Sequence, residues 1–310
     1  MTPSAPTSAT TPGTGSGAQR PAVARLGLSD WHAPVSPQDQ AAAFDTLEHG
    51  EVLWLPELAF TLRAEELPLL APGLSVRAKN VSLTPGAGDV RGVEGSADER
   101  RLLYGLLKRY ADASLELLQH LLPDYAAALR PGRTSFRPAE IEGRKTSWRK
   151  DDMRLHVDSF PSSPTAGWRI LRVFANVHPQ GKTRNWRLGE PFDAVARRFL
   201  PGVRAPLPGS SALMRSLRIT KQRRTRYDHY MLALHDRMKA DLDYQAHVAH
   251  STHEFPPATS WLVFTDQASH AAMSGQHALE QTLLIPVQAL RHPELSPLRV
   301  MEGMLGRALI

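Results

Sequence analysis

The sequence predicts an α+β, mainly-β protein: a β-sandwich or jelly roll with supporting α-helices. Three observations point there. Short segments rich in β-branched and aromatic residues, divided by polar turns, crowd the chain after residue 130. Amphipathic helical patterns lie mostly before that point. The 310 residues, 42% of them hydrophobic, suffice for one sizeable core with decorations rather than two equal domains.

Residues 1–24 are Ser/Thr/Pro/Gly-rich and lack the apolar stretch of a signal peptide, so they are expected to form a disordered tail. Residues 25–310 are expected to form a single jelly-roll domain whose N-terminal part, to about residue 130, is largely helical. QAAAFDTLEHG reads as a helix that stops at a glycine, and EVLWLPEL and LSVRAKNVSLTP read as strands. SADERRLLYGLLKRYADASLELLQHLL opens with Ser96 and Glu99 at capping-box spacing and sets Leu103, Leu106, Tyr110, Leu117 and Leu121 on one side. That pattern predicts a helix over 97–122, ended or kinked by Pro123. After Pro131 and Gly132, the segments TSFRPAEI, MRLHVDSF, WRILRVFANV and NWRLGEPF read as strands. RTRYDHYMLALHDRMKADLDYQ predicts one helix over 224–245, with Tyr227, Met231, Leu234, Met238 and Leu242 as its apolar side, and SWLVFTDQ and HALEQTLLI return to strand patterning.

Composition limits the chemistry. With no cysteine, disulfides and thiolate ligands are excluded, and any metal must accept nitrogen and oxygen. No run of about 18 apolar residues is present to span a membrane as a helix. The net charge of +6 comes mainly from arginine, which grips carboxylates and phosphates bidentately and suits an anionic partner; coding composition is the alternative source of the bias. No nucleic-acid recognition motif accompanies the charge.

The triplet His-x-Asp/Glu occurs three times, at His49-Gly50-Glu51, His156-Val157-Asp158 and His292-Pro293-Glu294. The first falls at a helix end and the third beside prolines. Only His156 and Asp158 enter a strand-like segment, where residues i and i+2 share a face. A third ligand is expected at His270, just past the end of the strand SWLVFTDQ. Two histidines and a carboxylate on one face of a metal make the facial triad of non-haem Fe(II) oxygenases, which leaves coordination positions open. A packing or capping role for any one histidine is the competing reading.

The phrases SWRKDDMRLHVDSFPSSPTAGWRILRVFANVHPQGKTRNWRLGEPF, RYDHYMLALHDRMKADLDYQ and FPPATSWLVFTDQASHAAMSGQHALEQT closely resemble the Kdo hydroxylases. These are Fe(II)- and 2-oxoglutarate-dependent dioxygenases that hydroxylate the 3-deoxy sugar Kdo of lipopolysaccharide. The likeness runs from about Arg133 to Thr282 and continues weakly into the helical front. It implies a double-stranded β-helix (jelly roll, cupin-like), iron ligands at His156, Asp158 and His270, and Fe(II), 2-oxoglutarate and O2 as cofactor and cosubstrates. It also implies that Arg137, Arg172, Arg184 and Trp186 lie near cosubstrate and substrate. The implied reaction converts Kdo of Kdo-lipid A to the octulosonic acid at C3, with release of succinate and CO2, in the cytoplasm. Peripheral contact with the inner membrane and homo-oligomerisation are compatible with it.

Strand parity supports the arginine assignments. In WRILRVFANV, Ile170, Arg172, Phe174 and Asn176 share one face and Leu171, Val173 and Ala175 the other; in TRNWRLG, Arg184, Trp186 and Leu188 share a face. An arginine among inward apolar positions is costly unless it meets an anion. Many dioxygenases of this type hold the distal carboxylate of 2-oxoglutarate with an arginine shortly past the last histidine, yet here the next one is Arg291. That role is assigned first to Arg172 and second to Arg184, with Trp186 beside them and Arg137 toward the substrate. The rival readings are an oxygenase for another anionic sugar or lipid, a glycan-binding module and a metal-dependent sugar isomerase. His229, His235, His250 and His253 are expected to be structural, as are Asp228 and Asp266. The basic segment RSLRITKQRRTR, residues 215–226, is expected at the mouth of the barrel, facing lipid phosphates.

Overall fold

The computed structural model describes residues 22–71, 79–144 and 146–310. Among these, ten strands form two sheets: β1 (Val23–Arg25), β2 (Val52–Leu55), β3 (Val81–Leu83), β4 (Arg130–Arg137), β5 (Arg169–Asn176), β6 (Arg184–Leu188), β7 (Ser251–Phe255), β8 (Thr259–Phe264), β9 (His270–Ser274) and β10 (Ala278–Ile285). The larger sheet runs β1-β2-β8-β5-β10-β4-β3, and the smaller runs β7-β6-β9. Apart from the parallel pair β1 and β2, the strands pair antiparallel, giving the double-sheet arrangement of a jelly roll.

The parity of β5 divides the interior as the sequence pattern requires. Leu171, Val173 and Ala175 join the main core on one face, while Phe174 packs with Trp186, Phe255 and Trp261 between the sheets. The outer face of the large sheet is covered by the helical front, α1 (Pro37–Glu48) and α2 (Ala97–Leu121), followed by α3 (Pro123–Ala126). Both capping-box hydrogen bonds of Ser96 and Glu99 open α2. Its Leu103, Leu106, Leu107, Leu117 and Leu121 are buried, each contributing about 1.5–3 kcal/mol over an exposed position. Tyr110 of α2 donates its hydroxyl to the Val173 carbonyl at 3.0 Å, tying helix to sheet. The remaining helices are α4 (Phe192–Phe199), α5 (Ser210–Ser216), α6 (Arg226–Ala240), α7 (Leu242–His247) and α8 (Pro297–Leu305). No helix among the described residues is long and apolar enough to cross a membrane.

Several sequence expectations change. The helix expected over 224–245 is two helices, because the Asp241 side chain accepts from the Tyr244 amide and starts α7 instead of continuing α6; Leu242 is therefore exposed. MRLHVDSF is not a regular strand, since it pairs only through an isolated bridge between His156 and His270. His270 lies just past β8, as expected, and is itself the first residue of β9. His253 lies in β7. Pro131 and Gly132 do not precede β4 but sit within it, opposite a register shift in β10. A Cβ at Gly132 would lie 2.9 Å from the Thr282 carbonyl oxygen, so the strands meet there only because the residue is glycine. The expected tail falls outside the described residues as far as residue 21, and its last residues, Val23 and Ala24, pair in β1. Residues 74–78 of the strand expected in LSVRAKNVSLTP also lie outside the described residues; its later part contains β3.

Two residues expected to support the fold do so. Asp228 caps α6 and accepts from the amides of Thr165 and Ala166 at 2.8 and 3.1 Å. Asp266 pairs with Arg169 at 2.7 Å, and both side chains are almost wholly buried. Arg169 also donates to Gln267 Oε1 at 2.6 Å. Replacing Asp266 by Ala strands a buried guanidinium, so a loss of about 3–5 kcal/mol is expected in urea unfolding. A loss under about 1 kcal/mol would show that Gln267 alone suffices.

Candidate metal centre and cavity

His156 and His270 face each other across the isolated bridge, where each amide donates to the other's carbonyl at 3.0 and 2.9 Å. This places their rings 4.6 Å apart between centroids. Each Nδ1 is held by the carbonyl two residues earlier: His156 by Arg154 at 2.7 Å and His270 by Ala268 at 2.8 Å. A carbonyl can only accept, so Nδ1 carries the proton and each Nε2 keeps its lone pair. Asp158, two residues on, is fixed by its amide to the Thr265 carbonyl at 2.7 Å, and its Oδ1 lies 3.6 Å from His156 Nε2. One ligand atom from each of His156, Asp158 and His270 lies within 4.8 Å of the others. The indole of Trp186 on β6 stacks on the His270 ring at 5.2 Å.

Electrostatics prepare these groups as ligands. Burial pushes the His156 imidazole down to about 3 and lowers His270 as well, so both are neutral donors at neutral pH. Burial opposes ionisation of Asp158, but the Arg172 guanidinium and the two imidazoles hold its carboxyl well below the usual carboxylate range. Two neutral imidazoles and one carboxylate suit a first-row divalent ion.

The cluster lines a cavity of about 280 Å³. Arg137, Arg172, Arg184 and Trp186, the residues expected near cosubstrate and substrate, all line it. They differ in partners. Arg172 forms an ion pair with Asp158 Oδ2 at 2.7 Å and donates to Glu280, and Arg137 donates to Glu280 at 2.7 Å and lies 3.7 Å from Asp152. Arg184 is 1% exposed, yet no carboxylate lies within ion-pair distance of it among the described residues; its Nη1 reaches only the Gly275 carbonyl, at 3.4 Å. Its Nε and the Trp186 Nε1 have no hydrogen-bond partner among those residues. Burial, with Arg137 nearby, lowers Arg184 to about 10.

Sequence reasoning missed several groups. Glu280 joins Arg137 of β4 to Arg172 of β5, and Asp152 collects Lys79, Arg137 and Arg144. Lys239 is 2% exposed, and its ammonium donates to the Arg149 carbonyl at 3.2 Å. His235, expected to be purely structural, lines the cavity with its ring 5.5 Å from that of His156. The available signal was the i,i+4 relation of His235 and Lys239, which puts both on one side of α6. His229 Nε2 donates to the Arg204 carbonyl and His253 packs on Trp54, both away from the cavity. Arg291 pairs with Asp124 and lies over Phe44.

A jelly roll that presents two neutral imidazoles and a carboxylate to an arginine-walled cavity defines a class, the Fe(II)- and 2-oxoglutarate-dependent dioxygenases. Residues 30–308 match the family model of 3-deoxy-D-manno-oct-2-ulosonic acid (Kdo) hydroxylase, and the chain belongs to that family. It is similar to solved structures of the Kdo hydroxylase KdoO, a non-heme Fe(II) α-ketoglutarate-dependent dioxygenase. The complex with cobalt(II) shares 48% identity over 94% of this chain and 98% of that one, with a TM-score of 0.91. The complex with α-ketoglutarate and Fe(III) shares 48% over 93% and 97%, with a TM-score of 0.89. The complex with succinate and Fe(III) shares 47% over 94% and 98%, also with a TM-score of 0.89. No curated protein matches the chain.

Glu280→Gln would leave Arg137 and Arg172 to share Asp152 and Asp158, so the metal-free protein is expected to lose about 3 kcal/mol or more in urea unfolding. Unchanged stability would mean that the two guanidinium groups need no carboxylate between them.

Proposed function

We propose that this enzyme hydroxylates C3 of the Kdo sugar in Kdo-lipid A, using Fe(II) held by His156, Asp158 and His270, with 2-oxoglutarate and O2 as cosubstrates and succinate and CO2 as by-products. The observation that carries the reading is the three-residue cluster opening into a cavity whose walls are cationic. When bound, iron and 2-oxoglutarate supply the oxidising chemistry, and the protein supplies binding, orientation and exclusion of water. The bridge and the two Nδ1 contacts hold both Nε2 lone pairs inward, and Trp186 fixes the plane of His270. Arg172 orients the carboxylate of Asp158.

Of the two arginines considered for the distal carboxylate of 2-oxoglutarate, Arg184 is the better candidate. Arg172 is already engaged by Asp158 and Glu280, whereas Arg184 is buried without an anion and stands on the same strand face as Trp186, whose indole N–H also lacks a partner. Arg137, with Lys79, Arg149 and Lys239 around it, then faces the carboxylate and phosphates of the substrate. Because that substrate is lipid-linked, the enzyme works peripherally at the cytoplasmic face of the inner membrane.

Alanine at His156, Asp158 or His270 is expected to abolish Co(II) binding in equilibrium dialysis and succinate formation, while circular dichroism stays native; metal binding retained by any of the three would remove that residue from the site. Arg184→Ala is expected to raise the KM for 2-oxoglutarate by about thirtyfold or more, the loss of a desolvated ion pair worth about 2–5 kcal/mol. Arg184→Lys should recover part of it. Mass spectrometry of Kdo-lipid A after incubation with Fe(II) and 2-oxoglutarate tests the reaction itself: one added oxygen on Kdo is expected, and its absence with active enzyme rejects the substrate.

A further inference from the structure

Four large apolar side chains left in solvent fall within one short stretch: Leu207, Leu213, Leu217 and Ile219, each between 56 and 78% exposed. The same stretch contains Arg215, Arg218, Lys221, Arg223, Arg224 and Arg226 and no acidic residue. Leu213 and Leu217 are one turn apart on α5 and its C-cap, so they project on the same side. Arg218 then adopts φ +55°, and the Ile219 amide donates to the Met214 carbonyl at 2.9 Å, folding Ile219 back against the helix end. A positive φ at arginine is costly, and here it turns the chain, with the exposed Ile219, back toward the helix end beside the ridge of Leu213 and Leu217.

The ridge is not a loose loop. The Lys221 amide donates to the Ser162 carbonyl at 2.9 Å, Arg224 Nη2 to the Pro161 carbonyl at 2.7 Å, and Ser211 Oγ to the Arg224 carbonyl at 2.7 Å. Residues 159–165, to which it is tied, continue directly from Asp158, and Phe160 lines the cavity. An apolar ridge flanked by cations and tied to a segment that lines the cavity has the make-up of an interfacial element, in which apolar groups enter the headgroup boundary and cations meet phosphates.

We propose that residues 207–226 form a docking surface for an anionic phospholipid bilayer, with Leu213, Leu217 and Ile219 entering the interface and the basic side chains contacting lipid phosphates. The surface deepens the peripheral part of the proposed function but is argued from its own residues. A lipid-linked substrate would be presented directly at the cavity mouth, without leaving the bilayer.

The test is sedimentation of the full-length protein with vesicles of phosphatidylglycerol and phosphatidylcholine, against phosphatidylcholine alone, without any Kdo-bearing lipid. Binding to the anionic vesicles only is expected. Leu213→Ser/Leu217→Ser/Ile219→Ser should weaken partitioning about tenfold or more, and Arg218→Glu/Lys221→Glu/Arg223→Glu about a hundredfold, with native circular dichroism in both. Added salt should mimic the second variant and not the first. The proposal is overturned if the native chain does not bind anionic vesicles, or if both variants bind as it does. It is also overturned if the serine variant changes oligomeric state in light scattering while vesicle binding persists, which would make the ridge a contact between copies. Intact vesicle binding without hydroxylation of Kdo-lipid A would instead reject the substrate and leave the docking surface standing.

Discussion

His156 and His270 exchange two main-chain hydrogen bonds across a single antiparallel bridge, and the geometry of the three-residue ligand cluster follows from that contact. The bridge fastens an otherwise irregular segment to the first residue of β9. Because it uses backbone atoms only, both side chains remain free to point inward, and the carbonyls of Arg154 and Ala268 can then set their tautomers. Asp158 arrives on the same side two residues later, pinned by Thr265.

Around this contact the protein distributes charge in a chain: Asp158 to Arg172, Arg172 to Glu280, Glu280 to Arg137, and Arg137 to Asp152. The strands impose this order. Arg137, Glu280 and Arg172 stand on neighbouring strands β4, β10 and β5, within diagonal reach on one sheet face. Buried charges of either sign are costly alone, and alternating them lets each be desolvated beside its opposite. Arg184 is outside this chain of charges: among the described residues its Nη1 reaches only the Gly275 carbonyl.

Much of this was legible in the sequence, and the reasons differ by element. The capping box of Ser96 and Glu99 and the leucine periodicity of α2 are local signals, and they survive folding unchanged. Strand parity put Arg172, Arg184 and Trp186 on the correct faces because a side chain's face depends only on counting residues. What failed depended on distant partners. The His156 segment looked like a strand, but a strand needs paired neighbours along its length and this one forms a single isolated bridge. Asp241 read as one polar position in a helical pattern, whereas its carboxylate competes for the Tyr244 amide. Glu280 and Asp152 carry no motif at all, since their importance lies in which arginines the sheet brings to them.

Arg184 is buried with no carboxylate within ion-pair distance among the described residues, and its Nε has no hydrogen-bond partner there. A cation buried without its counter-ion leaves the apoprotein less stable than its packing would allow, and a bound dianion restores what is missing. Any ligand that binds only the native state stabilises it in proportion to the logarithm of its concentration. If Arg184 takes the dianion as proposed, added 2-oxoglutarate would therefore raise the stability of the folded chain as well as feed the reaction.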